Sequence, residues 1–182
     1  MAEGRVTWSG DSFVPPKRLV KLKAWTTAFR LHHRGLALTL YLDSSALVKL
    51  FVLEEASDEI ETEIAGRRLL AASPLSYVES GAAIGRAARE GRGTARQTVE
   101  LLAELEEAWR RIVVVELDER VAGSAVRISN DRGLRAPDAI HLASALTFAK
   151  DATSVVTFAC FDRRLWEAAG ELGLERAPPS SP

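Results

Sequence analysis

The sequence predicts an α/β fold, a three-layer α/β/α sandwich with a central, mainly parallel sheet. Short apolar runs at residues 40–43, 69–73, 112–116 and 154–158 are separated by segments of helical periodicity. Parallel strands need crossover connections of this kind, and the crossover helices then cover both faces of the sheet. The chain has 182 residues, 47% of them hydrophobic, which fits one domain with a sizeable core. Four acids, Asp43, Glu79, Asp138 and Asp162, fall at strand ends or early in helices. In sheets of this type ligands bind beyond the carboxyl ends of the strands.

Taken in order, LYLD (40–43) is a short strand, and Ser44 offers an N-cap for the helix SALVKLFVL. ASDEIETEIA reads as a second helix closed by Gly66. LLAAS (69–73) is the second strand. Ser73 and Pro74 then supply a cap and a first helical position, so Glu79 lies in the early turns of the next helix. Gly91 and Gly93 break that helix, and Thr94 with Gln97 forms a capping box opening TARQTVELLAELEEAWRR. The β-branched IVVVE (112–116) reads as a buried third strand. A helix from about Asp118 ends at Gly133, and Pro137 begins the next, with Asp138 in its first turn. SVVTF (154–158) is the fourth strand, Asp162 follows it, and the helix DRRLWEAAGEL and a short LER close the domain. The tail APPSSP has the composition of a disordered segment.

Remote carboxylates gathered at one sheet edge repel one another and oppose ionisation. A hard divalent cation such as Mg²⁺ or Mn²⁺ resolves that conflict, takes oxygen ligands, and bridges to substrate phosphates. The competing reading treats each acid as a helix cap or dipole partner. Asp43 resists that reading most, because it follows an apolar strand with no basic neighbour nearby in sequence.

The ordered segments YLDSSALVKL, SPLSYVE, LRAPDAIHLASAL and VVTFACFDRRL resemble the PIN-domain ribonucleases, specifically the VapC-type toxins of toxin–antitoxin pairs. The resemblance spans about residues 40–175 and implies a PIN-like fold. It implies Asp43, Glu79, Asp138 and Asp162 as ligands of Mg²⁺ or Mn²⁺ and as catalytic residues, with Ser44 as a hydrogen-bonding hydroxyl at the metal or substrate. It also implies cleavage of RNA phosphodiesters to a 5′-phosphate and a 3′-hydroxyl. The implied partners are an RNA substrate, a cognate antitoxin laid across the acidic pocket, and a second copy in a homodimer. Asp162 is the most variable position of the pattern, and Cys160 and Phe161 are extra residues before it. A catalytically inactive RNA-binding module, a housekeeping RNA-processing nuclease and a small-molecule phosphatase are the alternatives.

Arg86 and Arg89, continued by Arg92 and Arg96, recur at roughly helical spacing after Glu79 and suit either RNA phosphates or a solvated face. His141, one turn beyond Asp138, reads as a packed or outer-sphere residue rather than a catalytic one. Tyr77, Trp109, Trp166 and Phe51 read as core or interface packing, and Gly81 with Gly85 as a stripe permitting close helix contact. Apolar surface at Leu47, Leu50, Phe51 and Ile60 is the expected antitoxin contact.

Composition excludes several classes. The formal net charge of −1 conceals seven Lys/Arg against two acids in residues 1–39, leaving 17 bases against 23 acids over residues 40–182. RNA binding must therefore rest on local arginine clusters and cations rather than on overall basicity. The lone Cys160 excludes an internal disulfide, and three scattered histidines give no zinc spacing. No apolar run reaches membrane-spanning length or the form of a secretory signal, so a cytoplasmic protein is expected. Residues 1–39 stand apart as an N-terminal extension. They read either as a basic amphipathic helix over Lys17–Arg34, with Leu19, Leu22, Trp25 and Phe29 inward, or as an over-extended translation start.

Overall fold

The computed structural model describes residues 39–52, 57–65, 69–152 and 155–182. In chain order the elements are β1 (Thr39–Leu42), α1 (Ser44–Val48), α2 (Ser57–Ala65), β2 (Leu69–Ala72), α3 (Pro74–Arg89), α4 (Ala95–Trp109), β3 (Val113–Val114), α5 (Glu119–Arg132), α6 (Ala136–Ala152), β4 (Val156–Ala159), α7 (Arg163–Glu171) and β5 (Glu175–Ala177). The strands lie in the order β3-β2-β1-β4-β5, and every neighbouring pair is parallel.

Side-chain alternation along β1 divides the molecule into layers. Leu40 and Leu42 join Leu70 and Ala72 of β2 in a core with Leu47 of α1, Ile60 of α2, Ile84 of α3 and Leu105 of α4. Tyr41 points the other way, into a second core with Val121 and Ile128 of α5, Leu142 of α6, Phe158 of β4 and Leu165 of α7. A strand buried on both faces must be apolar at every position, which is why LYL reads as a continuous run. Register sets Tyr41 beside Ala71 and Phe158, and the Tyr41 and Phe158 rings stack at 5.6 Å. Each such large side chain contributes about 1.5–3 kcal/mol by leaving water.

The chain runs from β1 outward through β2 and β3, then returns to the other side of β1 as β4 and β5. The reversal puts a crevice at the carboxyl ends of β1 and β4. There the Asp43 N–H extends the ladder by donating to the Ala159 carbonyl at 3.1 Å. Helix ends follow the sequence signals closely. Thr94 and Gln97 form the reciprocal capping box of α4, Pro74 opens α3, and Gly133 closes α5 in the left-handed conformation at φ 61°. The Gly133 carbonyl also accepts from the Arg164 guanidinium at 2.5 Å.

Several expectations are corrected. Asp43, not Ser44, caps α1, because its carboxylate reaches the Ala46 N–H one residue earlier, and α1 ends at Val48. IVVVE is not a buried strand throughout: the strand is Val113–Val114 at the sheet edge, with Val113 exposed, while Ile112 and Val115 beside it are buried and the Val115 N–H donates to the Ala72 carbonyl at 2.8 Å. The LER segment contributes a fifth strand through Glu175–Ala177. Ala177, expected in the tail, belongs to β5, and Pro178 is buried. Leu47, Leu50, Phe51 and Ile60, expected as an exposed contact surface, are all buried under the sheet. Gly81 is not what allows α3 to approach α4, because an added Cβ would meet Leu102 and Leu105 at 3.8 and 3.9 Å, ordinary contact. The aromatic assignments hold: Tyr77 and Trp109 pack at 5.0 Å and Trp166 is buried. The basic N-terminal helix and the stop at Gly66 lie outside the described residues.

Two contacts clamp β5 onto α7. The Trp166 indole N–H donates to the Pro178 carbonyl at 2.9 Å, and the Arg176 guanidinium stacks 3.6 Å from the Trp166 ring centroid. That guanidinium also lies over Gly170, where a Cβ would approach Arg176 Cζ to 2.7 Å. Arg176→Ala is therefore expected to cost about 0.5–2 kcal/mol of stability. Gly170→Ala should be nearly neutral alone, because a helix gain of about 1 kcal/mol is offset by displacing the guanidinium. In an Arg176→Ala background the same substitution should stabilise by about 1 kcal/mol. Urea unfolding of the four proteins measures this, and an equal effect of Gly170→Ala in both backgrounds would refute the clamp.

Candidate active site

Asp43 emerges from the central strand with extended backbone, φ −72° and ψ −179°, the geometry of a helix cap. Its Oδ1 accepts from the Ala46 N–H at 2.7 Å and from the Ser45 hydroxyl at 2.8 Å, and its Oδ2 lies 3.0 Å from the same hydroxyl. Ser45 Oγ in turn accepts from the Phe161 N–H at 2.7 Å. One serine thus ties the end of β1 to the loop leaving β4. Asp43 is only 4% exposed. Burial pushes its carboxyl up to about 6, against the opposing pull of His141, the Ala46 N–H and Ser45, and the nearby Glu79 charge adds to the rise.

Glu79 is carried to the same place by α3. That helix is tied to β1 by the Ser76 hydroxyl, which donates to the Leu42 carbonyl at 3.0 Å. Glu79 Oε2 accepts a short hydrogen bond from Ser44 Oγ and lies 3.3 Å from His141 Nε2. The bond to His141, more than any other influence, holds this carboxyl below its ordinary value, with Ser44 and the Arg135 charge helping and partial burial opposing. His141 is almost fully buried, and its Nε2 also stands 3.1 Å from Ser44 Oγ.

Asp138 opens α6 and faces Arg135, whose Nε lies 3.1 Å from Asp138 Oδ2. Asp162 is exposed and caps α7, its Oδ1 accepting from the Leu165 N–H at 2.9 Å. The capping reading and the site reading are therefore not alternatives for Asp43 and Asp162, since both residues cap a helix at the carboxyl edge of the sheet.

The charges meet in shared fields. The Arg135 guanidinium is raised first by its bond to Asp138 and also by the charges of Asp162 and Glu79. The buried Cys160 thiol is raised by burial and then by Asp43, Asp162 and Asp138. Among the described residues no three His, Cys, Asp or Glu side chains close into a ready-made coordination shell. The donor chemistry nevertheless fits a hard cation, being carboxylate oxygen throughout. Arg86 and Arg89 lie exposed further along α3. Arg92 and Arg96 are paired with Glu90 and Glu100.

Three residues that the sequence does not single out touch these acids or their partners: Ser45 on Asp43, Tyr41 on His141 and Arg135 on Asp138. Only the Arg135–Asp138 spacing, i to i+3 at a helix start, carried a signal in advance.

The PIN domain family model matches residues 40–170. The chain is 34% identical to Ribonuclease VapC45 of Mycobacterium tuberculosis over 138 residues, covering 76% of this chain and 94% of that protein. It is 35% identical to Ribonuclease VapC35 of the same organism over 144 residues, covering 77% and 96%. Among solved structures, PAE2754 from Pyrobaculum aerophilum superposes with a TM-score of 0.53 at 24% identity, covering 80% of this chain and 89% of that one. A toxin–antitoxin complex from Klebsiella pneumoniae superposes with a TM-score of 0.52 at 17% identity, covering 79% and 99%. These two likenesses are likenesses of fold.

The Asp43 environment has a consequence for stability. A carboxyl whose folded pKa, about 6, exceeds its unfolded value of 3.8 binds its proton more tightly when folded. Stability is then unaffected below pH 3.8 and falls as pH rises through about 6. Asp43→Asn in chelator-treated protein should gain on the order of 2–3 kcal/mol at pH 7.5 and close to nothing at pH 3.5. Urea unfolding at the two pH values checks it, and a gain independent of pH would contradict the burial argument.

Proposed function

The chain belongs to the PIN-domain family as a VapC-type ribonuclease toxin, and we propose that Asp43, Glu79, Asp138 and Asp162 hold the Mg²⁺ or Mn²⁺ on which its RNA cleavage depends. The observation that carries this reading is the buried Asp43 carboxylate, charged at neutral pH at a cost, beside Glu79 at the sheet's switch point. A catalytically inactive binding module would leave that cost without a return.

When bound, such an ion lowers the pKa of a water and offsets charge on phosphate oxygens. The chain's own residues set the stage for that chemistry. The cap on α1 and the Ser45 bridge fix Asp43 against the end of β4. Ser44 and His141 fix Glu79 from one side. Arg135 holds Asp138 near the other acids and would yield it to a cation, since a pair with an exposed arginine is weak. Asp162 contributes from the rim.

RNA phosphates are proposed to lie along α3. Arg86 falls two helical turns beyond Glu79 on the same stripe, with Arg89 one turn further. Neither forms an ion pair among the described residues, so both present uncommitted donors. A cognate antitoxin is the second partner, supported by the shared fold of the Klebsiella toxin–antitoxin complex. A second copy is the third, with exposed Val78, Val99 and Leu102 on α3 and α4 as apolar area for it. No described helix is long and apolar enough to cross a membrane; a cytoplasmic site of action, where RNA is met, is part of the proposal. The family match beginning at residue 40 supports treating residues 1–39 as an extension outside the nuclease domain.

Asp43→Asn and Asp138→Asn should each lower RNA cleavage by more than about 100-fold, beyond the usual loss for an outer-sphere partner, with unchanged circular dichroism. Sequencing of cleaved ends should show 5′-phosphates formed only with Mg²⁺ or Mn²⁺ present, and either variant cleaving at the wild-type rate would remove that residue from the site. Arg86→Ala and Arg89→Ala should each weaken RNA binding without changing its sequence preference and reduce the salt dependence by about one charge. Filter binding over a salt series measures this, and an unchanged slope would place the arginines off the RNA path.

A further inference from the structure

A column of buried polar side chains runs through the molecule behind the acids. Tyr41 lies in the centre of the sheet, fully buried, and its hydroxyl stands 3.4 Å from His141 Nδ1. The other ring nitrogen, Nε2, meets Ser44 Oγ at 3.1 Å and Glu79 Oε2 at 3.3 Å. Ser44 completes the column with its short bond to the same Glu79 oxygen. At the inner end, the buried hydroxyls of Ser73 and Ser144 lie near the Tyr41 phenol and have no hydrogen-bond partner among the described residues. His141 thereby touches residues from β1, the start of α1 and α3 while riding on α6, the helix that begins with Asp138.

For a neutral imidazole the donors and acceptors leave one consistent direction. An ionised Glu79 can only accept, and Ser44 has a single proton, which it gives to Glu79. Ser44 Oγ is then an acceptor toward His141, so Nε2 must carry hydrogen. That leaves Nδ1 to accept from the Tyr41 hydroxyl, a group protonated at any physiological pH. The phenol can in turn accept from a neighbouring serine. Among the described residues nothing donates to Glu79 Oε1.

We propose that Tyr41 and His141 are positioning residues, which with Ser44 form a one-way hydrogen-bond chain that locks the Glu79 carboxylate by Oε2 and keeps Oε1 for a divalent cation. Resting on the metal-nuclease reading for its purpose, the chain itself exists or fails independently of activity. A histidine that merely filled space would need neither a defined tautomer nor a tyrosine behind it. Outer-sphere partners that orient a ligand typically alter metal affinity by 10–100-fold.

The primary experiment is the imidazole ¹⁵N spectrum of the ¹⁵N-labelled wild-type full chain at pH 8 without metal. Nε2 of His141 should be protonated, and a bare Nε2 would overturn the proposal. Tyr41→Phe should move the His141 Nδ1 resonance, and an unmoved resonance would break the inner link. Calorimetric titration with Mn²⁺ alone supplies the second readout. His141→Leu should weaken binding by about 10–100-fold, and His141→Gln, whose side-chain N–H substitutes for Nε2–H, should restore most of it. Wild-type Mn²⁺ affinity in folded His141→Leu would overturn the assignment, with thermal unfolding confirming the fold. If the leucine variant does not fold, the wild-type spectrum and Tyr41→Phe decide the matter. A protonated Nε2 and the expected Mn²⁺ losses in a protein that cleaves no RNA would retain the chain and reject the nuclease reading.

Discussion

Everything at the site follows from burying one carboxylate at the end of the central strand. Asp43 sits where β1, β4 and the first helix converge, and desolvation there disfavours its charge. The surroundings answer with directed donors. The Ala46 N–H and the Ser45 hydroxyl occupy Asp43, while Ser44 is turned away toward Glu79. Two adjacent serines thus serve two different acids, and the helix turn between them sends their side chains in different directions. That division of labour places two carboxylates side by side without letting them collapse onto a shared donor.

The fold was largely readable because its signals are local. Caps at Thr94 and Asp118, Pro74 at the start of α3 and Gly133 at the end of α5 each state a boundary in one or two residues. What escaped depends on long-range pairing. IVVVE has the composition of a core strand, yet only Val113 and Val114 become strand, because β2 alone lies beside it in the sheet order. LER has no strand composition and becomes one because the β4 edge is open to it. Leu47, Leu50, Phe51 and Ile60 are apolar for the first core rather than for a partner, a distinction that periodicity cannot make.

The places of the acids in the fold were legible in the sequence, and the side chains that hydrogen-bond them were not. Asp43, Glu79 and Asp138 stand where strand ends and helix starts put them. Tyr41 reaches His141 through a hydroxyl at the far end of a side chain that fills the core, and Ser45 reaches Phe161 through a bond spanning 116 positions in the chain. His141 is the instructive case. The reading of it as packed was right about burial, and its ring nitrogens nonetheless connect three elements.

The sheet's outer strands contain only two and three residues. Brief, irregular borders offer little backbone for another molecule to template upon, so the sheet's lateral growth stops at its own margins. On the β5 side that protection is fastened to α7 by an indole and guanidinium pair, and to β4 by the Thr157 hydroxyl donating to Glu175. Shortening the chain before Glu175 would strip the cover from β4 and uncover the edge of a four-residue strand, three of whose side chains are apolar, turning a contained sheet into a nucleus for aggregation.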